Sequence, residues 1–293
     1  MNIIRGSIVA LITPFKEDGS INFDKLGELI EWHIAKKTDA ILILGTTSES
    51  PTMSHEEDNE ICKFTVDLVN KRVPVIASSG SNCTQTVIEK SLSFQNLGAD
   101  ALLTITPYYN KANTEGMYHH FADVADIVDI PMILYNVPGR TGCGISVDVL
   151  ERLAVHPGII GIKEASGDMS YMAKIARLAN DNFAIYSGND DIIVPILSMG
   201  GSGVISVLAN IMPEETHDLV MDYLNGDVIR ARDAQIKYLN LINDLFIEVN
   251  PIPVKEAMNL MGMGVGGYRL PLYPMAEANR NILRSEMERV GLI

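Results

Sequence analysis

A chain of 293 residues, 47% hydrophobic and 20% charged, is long and apolar enough for one large globular domain or two average ones. Its net charge of −14 and pI near 4.8, with no cluster of Lys and Arg, exclude the basic face of a nucleic-acid binder. No apolar run approaches the ~20 residues of a bilayer span, and the three cysteines, Cys62, Cys83 and Cys143, form no C-x-x-C, which argues against a disulfide framework or zinc site and suits a reducing cytoplasm.

The chain opens with Arg5 and an apolar run from Ser7 to Ile12. Thr13-Pro14-Phe15 follows without a small-residue cleavage site, so a first strand is predicted over Ser7–Thr13 and not a leader. Further strands are predicted at 40–45, 74–79, 101–106, 131–136, 159–165, 183–188 and 203–208. They are short, rich in Ile, Val, Leu and Ala, and continuously apolar, as parallel strands covered on both faces are. Amphipathic helices are predicted between them at 24–37, 54–70, 83–96, 114–127, 146–154, 170–180, 190–199 and 213–224. Ser54, with Glu57 three residues on, signals a capping box. Eight strand–helix units are the number that closes a parallel (β/α)8 TIM barrel, over residues 1–225; an open doubly wound sheet is the alternative. Beyond Asn225-Gly226-Asp227 the runs 228–246, 254–261 and 275–290 read as helices with no strand between them, a C-terminal helical domain over 226–293.

Function in such a barrel sits at the C-terminal strand ends. The sixth strand carries Lys163 within Ile159-Ile160-Gly161-Ile162-Lys163-Glu164-Ala165. A lysine can snorkel to water from a strand end, but one held in an apolar barrel loses part of its preference for the charged form and becomes a nucleophile able to form a Schiff base. Successive strand residues face opposite ways, so Glu164 is expected to point towards the helices and away from Lys163. Strand two ends in Gly45-Thr46-Thr47-Ser48-Glu49-Ser50, which is an ordinary turn or a carboxylate cradle of hydroxyls and backbone N–H groups. Strand four leads into Tyr108-Tyr109, interface aromatics or proton carriers. Strand five ends at Tyr135, followed by Arg140 in a Pro/Gly-framed turn, solvated or gripping a carboxylate bidentately. Gly188 ends strand seven and Ile205 lies in strand eight.

Other chemistries lack their signals. No G-x-G-x-x-G opens a helix, so a nicotinamide site is weak. The six histidines show no metal-ligand spacing, and there is no G-x-S-x-G elbow. Lysine, paired threonines, tyrosine and arginine converging without a metal can form an imine, bind carboxylates and shuttle protons. A non-catalytic barrel that binds a small metabolite is the alternative from another class.

Gly45-Thr46-Thr47-x-Glu49, Thr106-Pro107-Tyr108-Tyr109-Asn110, Tyr135-Asn136-Val137-Pro138-x-Arg140-Thr141-Gly142, Gly161-Ile162-Lys163-Glu164-Ala165 and Asn250-Pro251-Ile252-Pro253-Val254-Lys255 together resemble the 4-hydroxy-tetrahydrodipicolinate (dihydrodipicolinate) synthases, across essentially the whole chain. These belong to the pyruvate-dependent class I aldolases, with the N-acetylneuraminate lyases, which lack the arginine at the position of Arg140. The resemblance implies condensation of pyruvate with L-aspartate 4-semialdehyde, in diaminopimelate and lysine synthesis, without cofactor or metal. It implies that Lys163 forms the imine and that Tyr135 gives and takes protons in a relay through Thr46 and a neighbouring subunit's Tyr109. Thr47 would hold the pyruvate carboxylate with Ile205 backbone nearby, Arg140 would bind the aldehyde's carboxylate, and Gly188 would join the substrate-binding set. A cytoplasmic homotetramer of tight dimers is implied as well. Ser48 stands where the family usually has Gly, and is expected to narrow the mouth or alter the turn. In lysine-sensitive relatives an inter-subunit cleft holds the inhibitor. Ser50, His55, Asn82 and Tyr108 match it, but Asp58 and Thr86 replace a His and a Glu, so weak or absent lysine inhibition is expected.

Overall fold

The computed structural model describes residues 3–293. The apolar runs become eight strands, each a little shorter than its run: β1 (Gly6–Ala10), β2 (Ala40–Ile43), β3 (Val75–Ser78), β4 (Ala101–Ile105), β5 (Met132–Asn136), β6 (Ile159–Glu164), β7 (Ala184–Ser187) and β8 (Gly203–Ser206). They pair in parallel and in sequence order, and β8 returns to β1 in the register Gly6 to Gly203 and Ile8 to Ile205. That closure rules out the open sheet. It also needs glycine, because a Cβ on Gly203 would stand 2.0 Å from the carbonyl oxygen of Gly6.

The period-two alternation of the strands sorts their side chains into two cores. Ile8, Ala10, Leu42, Leu103, Ile133 and Ile205 fill the barrel. Val9, Ile41, Leu102, Leu134, Ile162 and Ile185 face outward against the helices. Registers Tyr135 to Lys163 and Lys163 to Tyr186 put those three residues at one height on the inner face.

The outer layer contains α1 (Phe23–Ala35), α2 (His55–Val69), α3 (Thr84–Asn96), α4 (Thr114–Ile127), α5 (Pro138–Thr141), α6 (Val147–Leu153), α7 (Met169–Ile175), α8 (Ile193–Ser198) and α9 (Pro213–Leu224). The capping box forms as predicted: Ser54 accepts from the Glu57 N–H and Glu57 accepts from the Ser54 N–H. Two predicted helices are interrupted. The 170–180 run ends in a 3-10 turn at Ala176–Leu178, and the 190–199 run begins with one at Asp190–Ile192. The one-turn α5, which begins on Pro138 and stops at left-handed Gly142, replaces the turn predicted around Arg140.

Three further helices follow, α10 (Val228–Asp244), α11 (Ile252–Leu260) and α12 (Glu277–Val290). α10 packs on α9, and α12 packs on α10 and α11. This extension is tied to the barrel mouth through charge. Lys255 of α11 and Glu49 of the β2 loop form an ion pair at 2.8 Å with both side chains fully buried. Lys255 also donates to the Gly267 carbonyl and stands over the rings of Phe15 and Tyr268. Removing one partner of such a pair strands the other charge, which costs about 3–5 kcal/mol. No helix among the described residues is long and apolar enough to cross a membrane.

Candidate active site

A cavity of about 70 Å3 opens at the C-terminal ends of the strands, where Thr46, Thr47, Tyr135, Arg140, Lys163 and Gly188 converge. A larger groove, about 890 Å3, lies at the opposite end among Arg5, Asp129, His156 and Asn182. The small cavity is the one that brings a buried lysine and a buried tyrosine together at the strand ends.

Lys163 is 6% exposed and its Nζ stands 4.5 Å from the centre of the Tyr135 ring. Burial pushes its pKa down to about 8; Asp190 pulls it back up and Arg140 adds a small push downward. The amine is therefore available at near-neutral pH. Tyr135 is pushed up to about 12, mainly by burial, so its phenol is protonated and can act as an acid. Gly188 is required beside the lysine: a Cβ there would lie 2.6 Å from Ala165 Cβ and 3.1 Å from Lys163 Cε. Glu164 turns outward as alternation predicts, accepting from Asn136 Nδ2 at 2.7 Å and from the Ser166 N–H.

Thr47 is buried and its Oγ1 accepts from Asn250 Nδ2 at 2.9 Å. Thr46 is partly buried on the same wall, and no hydrogen bond joins it to Tyr135 among the described residues. Arg140 is exposed and makes no ion pair among the described residues, so its guanidinium is available to an anion. Two predicted site residues stand apart. Ile205 is fully buried in the inner core and does not line the cavity. Tyr109 is 90% exposed, with left-handed backbone at φ 67°, and projects away from its own chain. Ser48 does not narrow the mouth: its Oγ donates to the Leu11 carbonyl at 2.6 Å, tying the β2 loop to the end of β1.

Three participants went unassigned in the sequence. Asp190 is buried, with Oδ2 accepting from the Val207 and Leu208 N–H groups at 2.9 Å and Oδ1 without a partner among the described residues. Its only signal was its place in the Gly188-Asn189-Asp190 turn that follows the seventh strand. Asn250 and Phe246 line the cavity from the C-terminal extension. The motif around Asn250 was visible, but nothing local said which way it faced. No group of three or more His, Cys, Asp or Glu among the described residues could hold a metal ion.

The model of the dihydrodipicolinate synthetase family matches residues 3–290. A Clostridium perfringens protein named 4-hydroxy-tetrahydrodipicolinate synthase is 55% identical over 291 residues, covering 99% of this chain and 100% of its own. The crystal structure of a chloride-inhibited dihydrodipicolinate synthase from Acinetobacter baumannii, complexed with pyruvate, superimposes with a TM-score of 0.96 at 44% identity, covering 99% of this chain and 100% of that one. A variant described as the first monomeric dihydrodipicolinate synthase superimposes equally well, with a TM-score of 0.96 at 36% identity over 99% of this chain and 98% of its own.

Proposed function

The chain belongs to the dihydrodipicolinate synthetase family, and from that premise we propose a Schiff-base mechanism centred on Lys163. The reaction is the condensation of pyruvate with L-aspartate 4-semialdehyde to 4-hydroxy-tetrahydrodipicolinate, in diaminopimelate and lysine synthesis. Neutral Lys163 Nζ attacks the pyruvate ketone; a C–N double bond forms and water leaves. The imine makes the methyl group acidic, and loss of a proton gives an enamine. The enamine carbon bonds to the aldehyde carbon, whose oxygen takes up a proton. The aldehyde's own amine then attacks the imine carbon, closing the ring and returning Lys163 as a free amine.

Tyr135 moves these protons, with Thr46 as its link. Thr47 hydroxyl binds the pyruvate carboxylate and Arg140 that of the aldehyde. The observation that carries this reading is the buried Lys163 amine, its pKa near 8, in the wall of a cavity shared with a protonated tyrosine and a free guanidinium. The test is borohydride reduction in the presence of pyruvate. The expected result is a reduced pyruvate adduct on the Lys163 peptide, absent in Lys163→Ala. Active protein that yields no adduct would refute the mechanism.

We further propose a homotetramer of tight dimers in the cytoplasm. Tyr109, 90% exposed beside Tyr108, makes no aromatic pair among the described residues and suits completion of the relay in a second copy. The three cysteines are free, in keeping with a reducing compartment. Sedimentation equilibrium of the wild type and of Tyr109→Ala tests the assembly. The division at 225/226 into barrel and helical domain is supported by the absence of strands after β8 among the described residues.

A further inference from the structure

One wall of the cavity is not built by the barrel. Phe246 and Asn250, from the loop between α10 and α11, line the cavity together with Thr47, Arg140 and Lys163. Asn250 is 5% exposed. Its Nδ2 donates to Thr47 Oγ1, while its Oδ1 is buried with no hydrogen-bond partner among the described residues. A buried amide oxygen left unpaired is unusual in a folded protein. Asn250 is among the residues that line the cavity, so a bound ligand that reaches Oδ1 supplies the missing donor.

The same amide settles the direction of Thr47. A hydroxyl has one hydrogen and two lone pairs. Because Oγ1 receives a hydrogen from Asn250, its own hydrogen is left to donate, and no protein acceptor takes it among the described residues. A carboxylate needs that hydrogen. With the amide reversed, Thr47 would donate to Asn250 and turn its lone pairs towards the carboxylate, which would be repelled. The aldehyde presents a second demand. It carries an ammonium beside its carboxylate, and while Arg140 answers the carboxylate, the ammonium needs an acceptor.

We propose that Asn250 is a positioning residue for both substrates: Nδ2 holds Thr47 as a donor to the pyruvate carboxylate, and Oδ1 accepts a hydrogen bond from the ammonium of the incoming aldehyde. The proposal rests on the pyruvate-condensing reading above. It assigns the C-terminal extension a part in substrate selection that the barrel's own residues do not supply.

Full-length Asn250→Leu, Thr47→Val and the double variant separate this role from a structural one. Leu keeps the approximate size of Asn and removes both polar atoms. The pyruvate concentration giving half-maximal borohydride trapping should rise about tenfold in Asn250→Leu, but by less than about twofold when Asn250→Leu is added to Thr47→Val. The preference for L-aspartate 4-semialdehyde over succinate semialdehyde, which has hydrogen in place of the ammonium, should fall about tenfold in Asn250→Leu. Asn250→Asp, which keeps the shape and strengthens the acceptor, should retain that preference while still weakening pyruvate trapping. Effects that add in the double variant overturn the positioning of Thr47, and an unchanged aldehyde preference overturns the ammonium contact. Absence of any adduct in the unmodified protein would instead refute the Lys163 mechanism itself.

Discussion

Lys163 Nζ stands 4.5 Å over the ring of Tyr135, one strand away in the barrel, with both side chains more than nine-tenths buried. The proximity joins a nucleophile poised near neutrality to an acid that stays protonated. The rate of pyruvate adduct formation should therefore rise with pH through about 8, as Lys163 loses its proton, and then level off. A rate that is flat between about pH 6 and pH 9.5 would contradict this. Tyr135→Phe should still be trapped by borohydride, while kcat falls by roughly 10²–10⁴.

Holding a lysine in this position costs stability. Its folded pKa, about 8, lies below the unfolded 10.5, so the unfolded state binds more protons between those values and stability should rise with pH across that window. Below about pH 8 the penalty is complete, on the order of 3 kcal/mol. Lys163→Met should be inactive yet melt at a higher temperature at pH 7, with the gain fading above about pH 10.5. Calorimetry of the two proteins across pH is the measurement. An equal or lower Tm for the Met variant at pH 7 would count against a strained amine.

Arg140 rises from the one-turn helix α5, exposed and without an ion pair among the described residues. Arg140→Ala should raise the KM for the aldehyde about 10- to 100-fold. Arg140→Lys should restore only part of the loss, because an ammonium cannot present the planar fork. The pyruvate adduct should still form in both. Full rescue by lysine would show that charge alone is read.

Asp58, 1% exposed, is paired with Lys90 at 2.9 Å and receives the Ser50 hydroxyl at 3.1 Å. An ammonium of the chain itself thus already occupies the Asp58 carboxylate, which could otherwise have compensated in part for the Glu replaced at Thr86. Free L-lysine should give no inhibition in the micromolar range, and Lys90→Ala should increase sensitivity. Micromolar inhibition of the unmodified protein would overturn this account.

Much of the barrel was legible because its signals are local. Continuous apolar runs mark the eight strands, and alternation alone puts Lys163 inward and Glu164 outward. Ser54 and Glu57 announced the start of α2 from three residues apart. What escaped was set at long range. The Asn250 contact with Thr47 spans 203 positions, and the Glu49 pair with Lys255 spans 206. Ser48 was expected at the mouth, but its hydroxyl donates to the carbonyl of Leu11, just past β1 and 37 positions earlier. Period and propensity carry no information about such partners, and Asp190 became visible only when the barrel closed around it.

The link between Glu49 and Lys255 also bears on when the protein becomes an enzyme. The β2 loop leaves the ribosome early, with a carboxylate destined for a fully buried position. Its cation arrives 206 residues later, together with Asn250. At about 5–20 residues per second, the wait is on the order of ten seconds or more. A nascent barrel with all eight strands emerged would still carry an unneutralised Glu49 and an unoriented Thr47. Catalytic competence therefore comes at the end of translation, and a chain cut short after β8 would hold Lys163 without the lining that α10 and α11 bring.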